Sequence, residues 1–346
     1  MKIGILTGGG DCPGLNAVIR AIVRKSLLYE WECVGIQNGW KGLVEIDTLP
    51  LDLESVSGIL QKGGTILGTS RTNPYKLDNG EKKVFENAKK IGMDALVAIG
   101  GEDTLGVAGK LAKSGFKVVG VPKTIDNDLS GTDYTFGFDT AVNIAMEAID
   151  RIHTTAESHH RVMIVEVMGR HAGWIAIHSG MAAGADMILI PEKEIQIEKV
   201  IKVINSRKKR GRKFSIIVVA EGARISDSDR KEGKFVLQDE KLDAFGHVRL
   251  GGISNVLAEI IERKTKIESR ATILGHVQRG GSPTAFDRVL GSRFGVYAVE
   301  MIHDGKFGRM AALKGAEILD IPIEDAVKET KTVGEKLYET AKVFFN

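Results

Sequence analysis

The stretch Lys2-Ile3-Gly4-Ile5-Leu6-Thr7 breaks into Gly8-Gly9-Gly10-Asp11 and then enters a helical pattern at Leu15-Asn16-Ala17-Val18-Ile19. A continuous apolar run of this length suits a strand buried on both faces, and a glycine turn feeding a helix is the junction of a parallel α/β unit. The same succession recurs at Ala95-Leu96-Val97-Ala98-Ile99, which breaks into Gly100-Gly101-Glu102-Asp103-Thr104. A third run, Lys117 to Val121, opens into Pro122-Lys123-Thr124-Ile125-Asp126-Asn127-Asp128, where two carboxylates, a hydroxyl and a lysine follow a strand. Glycines let the backbone approach a ligand, and the N–H groups of a helix start point at it, so the turns suit an anion such as phosphate. Neither glycine turn matches the P-loop, which needs Lys and Ser or Thr after its last glycine, or the dinucleotide fingerprint.

Working outward, further strands are expected at Cys33–Gln37, Arg161–Val167, Ala185–Ile190, Phe214–Ala220 and Arg270–Leu274, and a helix over Asp139–His153, where Ala141, Ile144, Ala145, Ala148, Ile149 and Ile152 share one face. The alternation implies an α/β fold, doubly wound, with mostly parallel sheets and ligands at the carboxyl ends of strands. At 346 residues the chain exceeds one typical domain, so two lobes are expected, with a boundary near Gly137-Phe138. Average usage would give about 24 glycines in such a chain. It holds 41, and the excess gathers in the ligand turns.

Net charge is only +3, and no long basic run alternates with aromatics, which disfavours nucleic acid; Lys208 to Lys213 reads as a solvated helix end. No membrane-spanning run appears. Two cysteines, Cys12 and Cys33, are too few for a disulfide framework, and the first residues read as a strand rather than a signal peptide, so the expected compartment is the cytoplasm. Arginines at strand ends and glycine turns, Arg161, Arg170, Arg270 and Arg279, are better phosphate ligands than lysines on a helix face, because guanidinium matches phosphate oxygens bidentately.

Five segments carry a family resemblance: Gly8-Gly9-Gly10-Asp11-Cys12-Pro13-Gly14-Leu15-Asn16, Gly63-Gly64-Thr65-Ile66-Leu67-Gly68-Thr69-Ser70-Arg71, Thr124-Ile125-Asp126-Asn127-Asp128, Met168-Gly169-Arg170 and Gly275-His276-Val277-Gln278-Arg279-Gly280-Gly281. In this order they resemble the motifs of 6-phosphofructokinases, over almost the whole chain. The resemblance implies two similar lobes and phosphoryl transfer to O1 of fructose 6-phosphate with magnesium (Mg2+). It assigns a donor lobe to 1–138 plus about 252–300 and a fructose 6-phosphate lobe to 139–251 plus about 301–346.

It makes Asp126 the base that accepts the sugar hydroxyl proton, Thr124 its neighbour at the transferring phosphoryl group, and Arg71 the arginine that spans donor and acceptor phosphates. Gly9 and Gly10 line the donor. Glu102 stands where the family has a magnesium-associated Asp, and Asp128 is a further metal candidate. Met168, Gly169 and Arg170 fall to the ring hydroxyls, Glu221 to a hydroxyl, and Arg161, Arg270, His276 and Arg279 to the 6-phosphate. In tetrameric members Arg161 and Arg270 would come from a neighbouring subunit, which implies a homodimer or homotetramer with shared active sites.

Donor choice turns on two positions. ATP-using members carry Gly where this chain has Asp103 and Lys123, whereas pyrophosphate-using members carry Asp and Lys. A carboxylate where the α-phosphate would lie opposes ATP by charge and bulk, while pyrophosphate has no third phosphate to meet it. Arg20 and Arg24 match two effector-site arginines of allosteric members, but Leu53 stands where another is expected, which argues against tight nucleotide control. Two rivals stay open, an ATP-dependent enzyme and a catalytically silent phosphosugar sensor.

Overall fold

The computed structural model describes residues 1–227, 230–234, 237–239 and 249–345. Met1–Thr140 and Arg279–Thr330 gather into one compact unit, and the described residues from Ala141 to Gln278, with those from Lys331 onward, form a second.

The first unit is built on a seven-stranded sheet. Across it run Glu317–Pro322, Arg309–Lys314, Val118–Pro122, Ala95–Gly100, Lys2–Thr7, Glu32–Ile36 and Thr48–Leu51. The inner five are parallel and only the two edge pairs are antiparallel. Strands Ala95–Gly100 and Val118–Pro122 are buried along their whole length, the consequence of helices covering both faces. From Lys2–Thr7 the chain winds to one side, then returns to build the other side from Ala95–Gly100. The order therefore reverses between these two strands, and a crevice opens at their carboxyl ends.

The second unit holds a four-stranded parallel sheet ordered Ser269–Ile273, Val162–Val167, Ser215–Ala220, Met187–Leu189. Its core packs Val162, Ile164, Ile217 and Val219 against Leu257 and Ile261 of helix Ile253–Thr265. Here the reversal lies between Val162–Val167 and Ser269–Ile273. Two small sheets complete the described strands, Ile195–Gln196 with Ile225–Asp227 and Arg230–Lys234, and Leu237–Asp239 with Arg249–Leu250.

Every strand expected from the apolar runs is present within two residues at each end, and the helix expected over Asp139–His153 extends over Phe138–His159. The lobe boundaries differ. Residues 252–278 lie in the second unit rather than with the donor turns, because helix Ile253–Thr265 and strand Ser269–Ile273 build onto Val162–Val167. Residues 301–330 lie in the first unit, because strands Arg309–Lys314 and Glu317–Pro322 extend its sheet. Among the described residues no helix is long and apolar enough to cross a membrane.

Candidate active site

Three adjacent parallel strands of the first unit, Lys2–Thr7, Ala95–Gly100 and Val118–Pro122, deliver their turns to one edge of the sheet. Gly8 N donates to Ile99 O at 3.0 Å and Lys123 N to Gly100 O at 2.9 Å, so each turn is fastened to its neighbour at the point where it leaves the sheet. Thr104 fills the space between the first two turns. A Cβ at Gly8 would lie 2.5 Å from Thr104 Oγ1, and one at Gly100 2.7 Å from it, so the close approach requires glycine at both positions.

A fourth segment docks on these turns and carries Arg71. Thr69 Oγ1 donates to Gly9 O at 2.5 Å, and Gly9 N donates to Ser70 O at 3.4 Å. Asn16, buried in the first helix, donates to Lys62 O and Gly63 O and accepts from Ile66 N at 2.9 Å, while Thr7 Oγ1 donates to Gly68 O at 2.8 Å. The glycine-rich run 63–71 is thus tied to the first turn at several points, and the exposed Arg71 follows directly.

Lys123 is 3% exposed, and its Nζ donates to Gly10 O. Arg279 reaches the same turn, where its Nη1 donates to Asp11 O at 3.2 Å. Burial pushes the Lys123 ammonium down and the Arg279 charge adds to this, against the pull of Cys12, Asp11 and Asp126. The chain therefore directs two cations at the first glycine turn. Of these Arg279 was expected among the 6-phosphate ligands. Beside them the buried Cys12 thiol is pushed up to about 12, chiefly by burial, which makes it a poor nucleophile.

In the third turn Thr124, Asp126 and Asp128 are half-buried, whereas Ile125 and Asn127 between them and Leu129 after them are buried. Asn127 anchors the turn, at φ 51°, with its Oδ1 accepting from Thr135 N at 3.1 Å, and Thr135 Oγ1 donates to Thr124 O at 2.7 Å. Asp126 N donates to Thr124 Oγ1 at 3.0 Å, yet Asp126 Oδ1 is buried without a hydrogen-bond partner. An unpaired buried carboxylate oxygen costs stability unless a ligand uses it. Burial, then the charges of Asp126 and Glu102, push the Asp128 carboxyl up to about 7. Glu102 and Asp103 occupy the first turn of helix Glu102–Lys113, where the helix dipole favours them. No group of three or more acidic, His or Cys side chains gathers as a metal cage among the described residues.

In the second unit, Met168-Gly169-Arg170 follow strand Val162–Val167, Glu221 follows Ser215–Ala220 and His276 follows Ser269–Ile273, all at carboxyl ends. Gly222 N donates to Gly169 O at 3.1 Å, and a Cβ at Gly222 would lie 1.9 Å from Arg170 O, so only glycine lets these turns meet. Arg161 and Arg270 sit at the other end of the same strands. Glu268 joins them, with Arg161 Nε 2.9 Å from its Oε2 and Arg270 Nη2 donating to its Oε1 at 2.6 Å. The basic run after helix Ile197–Lys209 is exposed, as expected, and its Lys208, Arg212 and Lys213 also line a cavity of about 450 Å³.

Asn16, Thr104, Thr135 and Gln278 were not assigned roles from sequence. Asn16 carried a signal, a lone amide within the buried apolar face of a helix.

Glycine turns at the switch point of a doubly wound sheet, with two cations directed at the first turn and a carboxylate cluster on the third, define an α/β protein whose site suits phosphate groups. The family described as Phosphofructokinase matches residues 2–302. The pyrophosphate–fructose 6-phosphate 1-phosphotransferase of Streptomyces coelicolor is 58% identical over 347 residues, covering all of both chains. An ATP-dependent 6-phosphofructokinase of the same organism is 51% identical over 343 residues, covering 99% of this chain. The phosphofructokinase structure from Saccharomyces cerevisiae superposes with a TM-score of 0.81 at 30% identity, covering 99% of this chain and 46% of that one. This chain belongs to the phosphofructokinase family.

Proposed function

We propose that the chain transfers a phosphoryl group from pyrophosphate to O1 of D-fructose 6-phosphate, giving fructose 1,6-bisphosphate and orthophosphate. The observation that carries the donor assignment is Lys123, buried with its Nζ on Gly10 O, together with Asp103 in the first turn of helix Glu102–Lys113. A lysine buried at the first glycine turn is not an exposed surface charge. It puts positive charge where a short donor ends, and the Asp103 carboxylate opposes a longer polyphosphate by charge and bulk.

The reaction then follows from the chain's own groups. Asp126 Oδ1 accepts the proton of the sugar O1 hydroxyl, the O1–phosphorus bond forms, and the bridging oxygen–phosphorus bond of pyrophosphate breaks. The departing orthophosphate takes the bonding electron pair and is stabilised by Lys123. Thr124 and Arg71 hold the transferring group as charge builds on it. The carboxylates of Glu102 and Asp128 suit magnesium, which is held by one or two carboxylates with substrate phosphates and water rather than by an all-protein cage. Such an ion neutralises phosphate charge. Met168, Gly169, Arg170, Glu221 and His276 are the sugar-binding residues.

Arg161 and Arg270 support a shared site. Met168 lies seven positions beyond Arg161 along one strand, which at about 3.3 Å per residue is roughly 23 Å, so both cannot reach one sugar phosphate. They serve the site of a neighbouring copy, and the working enzyme is an oligomer. Mixing two inactive variants, Asp126→Asn and Arg161→Ala, tests this, because a mixed dimer would hold one site with both native residues. Recovered activity is expected. No recovery, with subunit exchange demonstrated by mass, would refute the sharing. The donor assignment is tested by initial rates with pyrophosphate and with ATP.

A further inference from the structure

In the second sheet the turns after Val162–Val167 and Ser269–Ile273 flank the strand-order reversal, where open α/β sheets hold ligands. Met168, Gly169 and Arg170 lie on one turn and His276 on the other. One side chain joins the two. Gln278 is 0% exposed, its Oε1 accepts from Met168 N at 3.2 Å, and its Nε2 donates to Gly275 O at 3.0 Å. On the far side, Gly169 O accepts from Gly222 N at 3.1 Å. The Met168-Gly169 backbone is therefore held at both ends, through Met168 N–H and Gly169 C=O, with Gly169 at φ 137°.

A primary amide is the group that satisfies both ends of this clamp, since it offers one acceptor and one donor in fixed relation. Methionine would fill the same volume and remove both side-chain hydrogen bonds, the one to Met168 N–H and the one to Gly275 C=O. Glutamate would keep the acceptor for Met168 but turn an oxygen toward Gly275 O. The residue carries no charge, is buried, and is not exposed to a ligand directly. Its chemistry is spent on the spacing of two ligand turns.

We propose that Gln278 is a positioning residue for the sugar phosphate. Its amide fixes the separation of the Met168–Arg170 turn and the segment Gly275–Gln278, so fructose 6-phosphate affinity depends on it while pyrophosphate affinity does not. This rests on the phosphosugar reading of those turns.

The test uses the full chain carrying Gln278→Met or Gln278→Glu. Fructose 6-phosphate binding is measured by calorimetry without donor, KM is measured for both substrates, and amide hydrogen exchange is followed at Met168. Losing the two clamp hydrogen bonds corresponds to a roughly 10- to 100-fold loss of fructose 6-phosphate affinity for Met, with about tenfold for Glu. The KM for pyrophosphate should stay within about twofold, kcat should change little, and exchange at Met168 should quicken. A purely structural role would raise both KM values together or lower only thermal stability, and either result overturns the proposal, as does unchanged sugar affinity. If the Met variant does not fold, the Glu variant carries the same comparison. A native chain that binds no fructose 6-phosphate would refute the phosphosugar reading alone. Exchange at Met168 then decides the clamp, supporting it if faster in the variants and overturning it if unchanged.

Discussion

Lys123→Met removes the charge at the first glycine turn while keeping most of the apolar stem. The native ammonium is buried and bonded to Gly10 O, with Arg279 as the other cation at that turn. A unit charge about 4 Å from a phosphate charge is worth about 4 kcal/mol at an effective dielectric of about 20. At about 1.4 kcal/mol per tenfold, that is close to a thousandfold in kcat/KM for pyrophosphate. The fold should lose less. Gly10 O gives up one bond, at about 1–3 kcal/mol, but the ammonium that burial already pushes down is also gone. Initial rates of fructose 1,6-bisphosphate formation against pyrophosphate concentration, with thermal melts and fructose 6-phosphate binding alongside, separate these effects. Sugar binding should be nearly native, since the Met168 turn belongs to the other unit. A folded variant that kept pyrophosphate kcat/KM within about tenfold of the native value would refute Lys123 as the leaving-group cation.

Asp126→Asn should lower kcat by roughly 10²–10⁴ and leave the fructose 6-phosphate KM nearly unchanged, because the amide cannot accept the proton while ground-state contacts persist; near-native kcat would exclude Asp126 as the base. Asp287, buried and accepting from Thr140 N at 2.8 Å and Thr140 Oγ1 at 2.5 Å, is pushed up to about 6, chiefly by burial. An acid raised in the fold binds more protons folded than unfolded between about pH 4 and 6, so its contribution to stability declines as pH rises through that window and stays lost above it. The rise from the ordinary carboxylate value to about 6 corresponds to about 3 kcal/mol. The Asp287→Asn variant stays neutral, so its Tm relative to the native chain should rise between pH 4.5 and 7, and parallel curves would contradict the assignment.

The inner strands were legible because burial on both faces leaves unbroken apolar runs such as Ala95–Ile99. Edge strands were not. Thr48–Leu51 contains Pro50, and Glu317–Pro322 is half-buried, so neither carries a periodic signal of its own. The turn residues of the site were readable because glycines, carboxylates and a lysine after a strand end have few structural reasons to cluster. The residues that hold those turns were not. Gln278 bonds a partner 110 positions away, and Asn16 bonds the segment 62–66, pairings that only the tertiary fold brings about. The lobe limits failed for a similar reason. The chain passes between the units at several points, and local composition does not mark where helix Ile253–Thr265 finds its sheet.

Donor choice is the central claim, and turnover by the native chain with fructose 6-phosphate and magnesium, using pyrophosphate and ATP side by side, tests it most directly. Pyrophosphate should support rapid turnover and ATP little or none, and Asp103→Gly should improve ATP binding while lowering the pyrophosphate rate. Comparable native rates with saturating ATP would contradict the account.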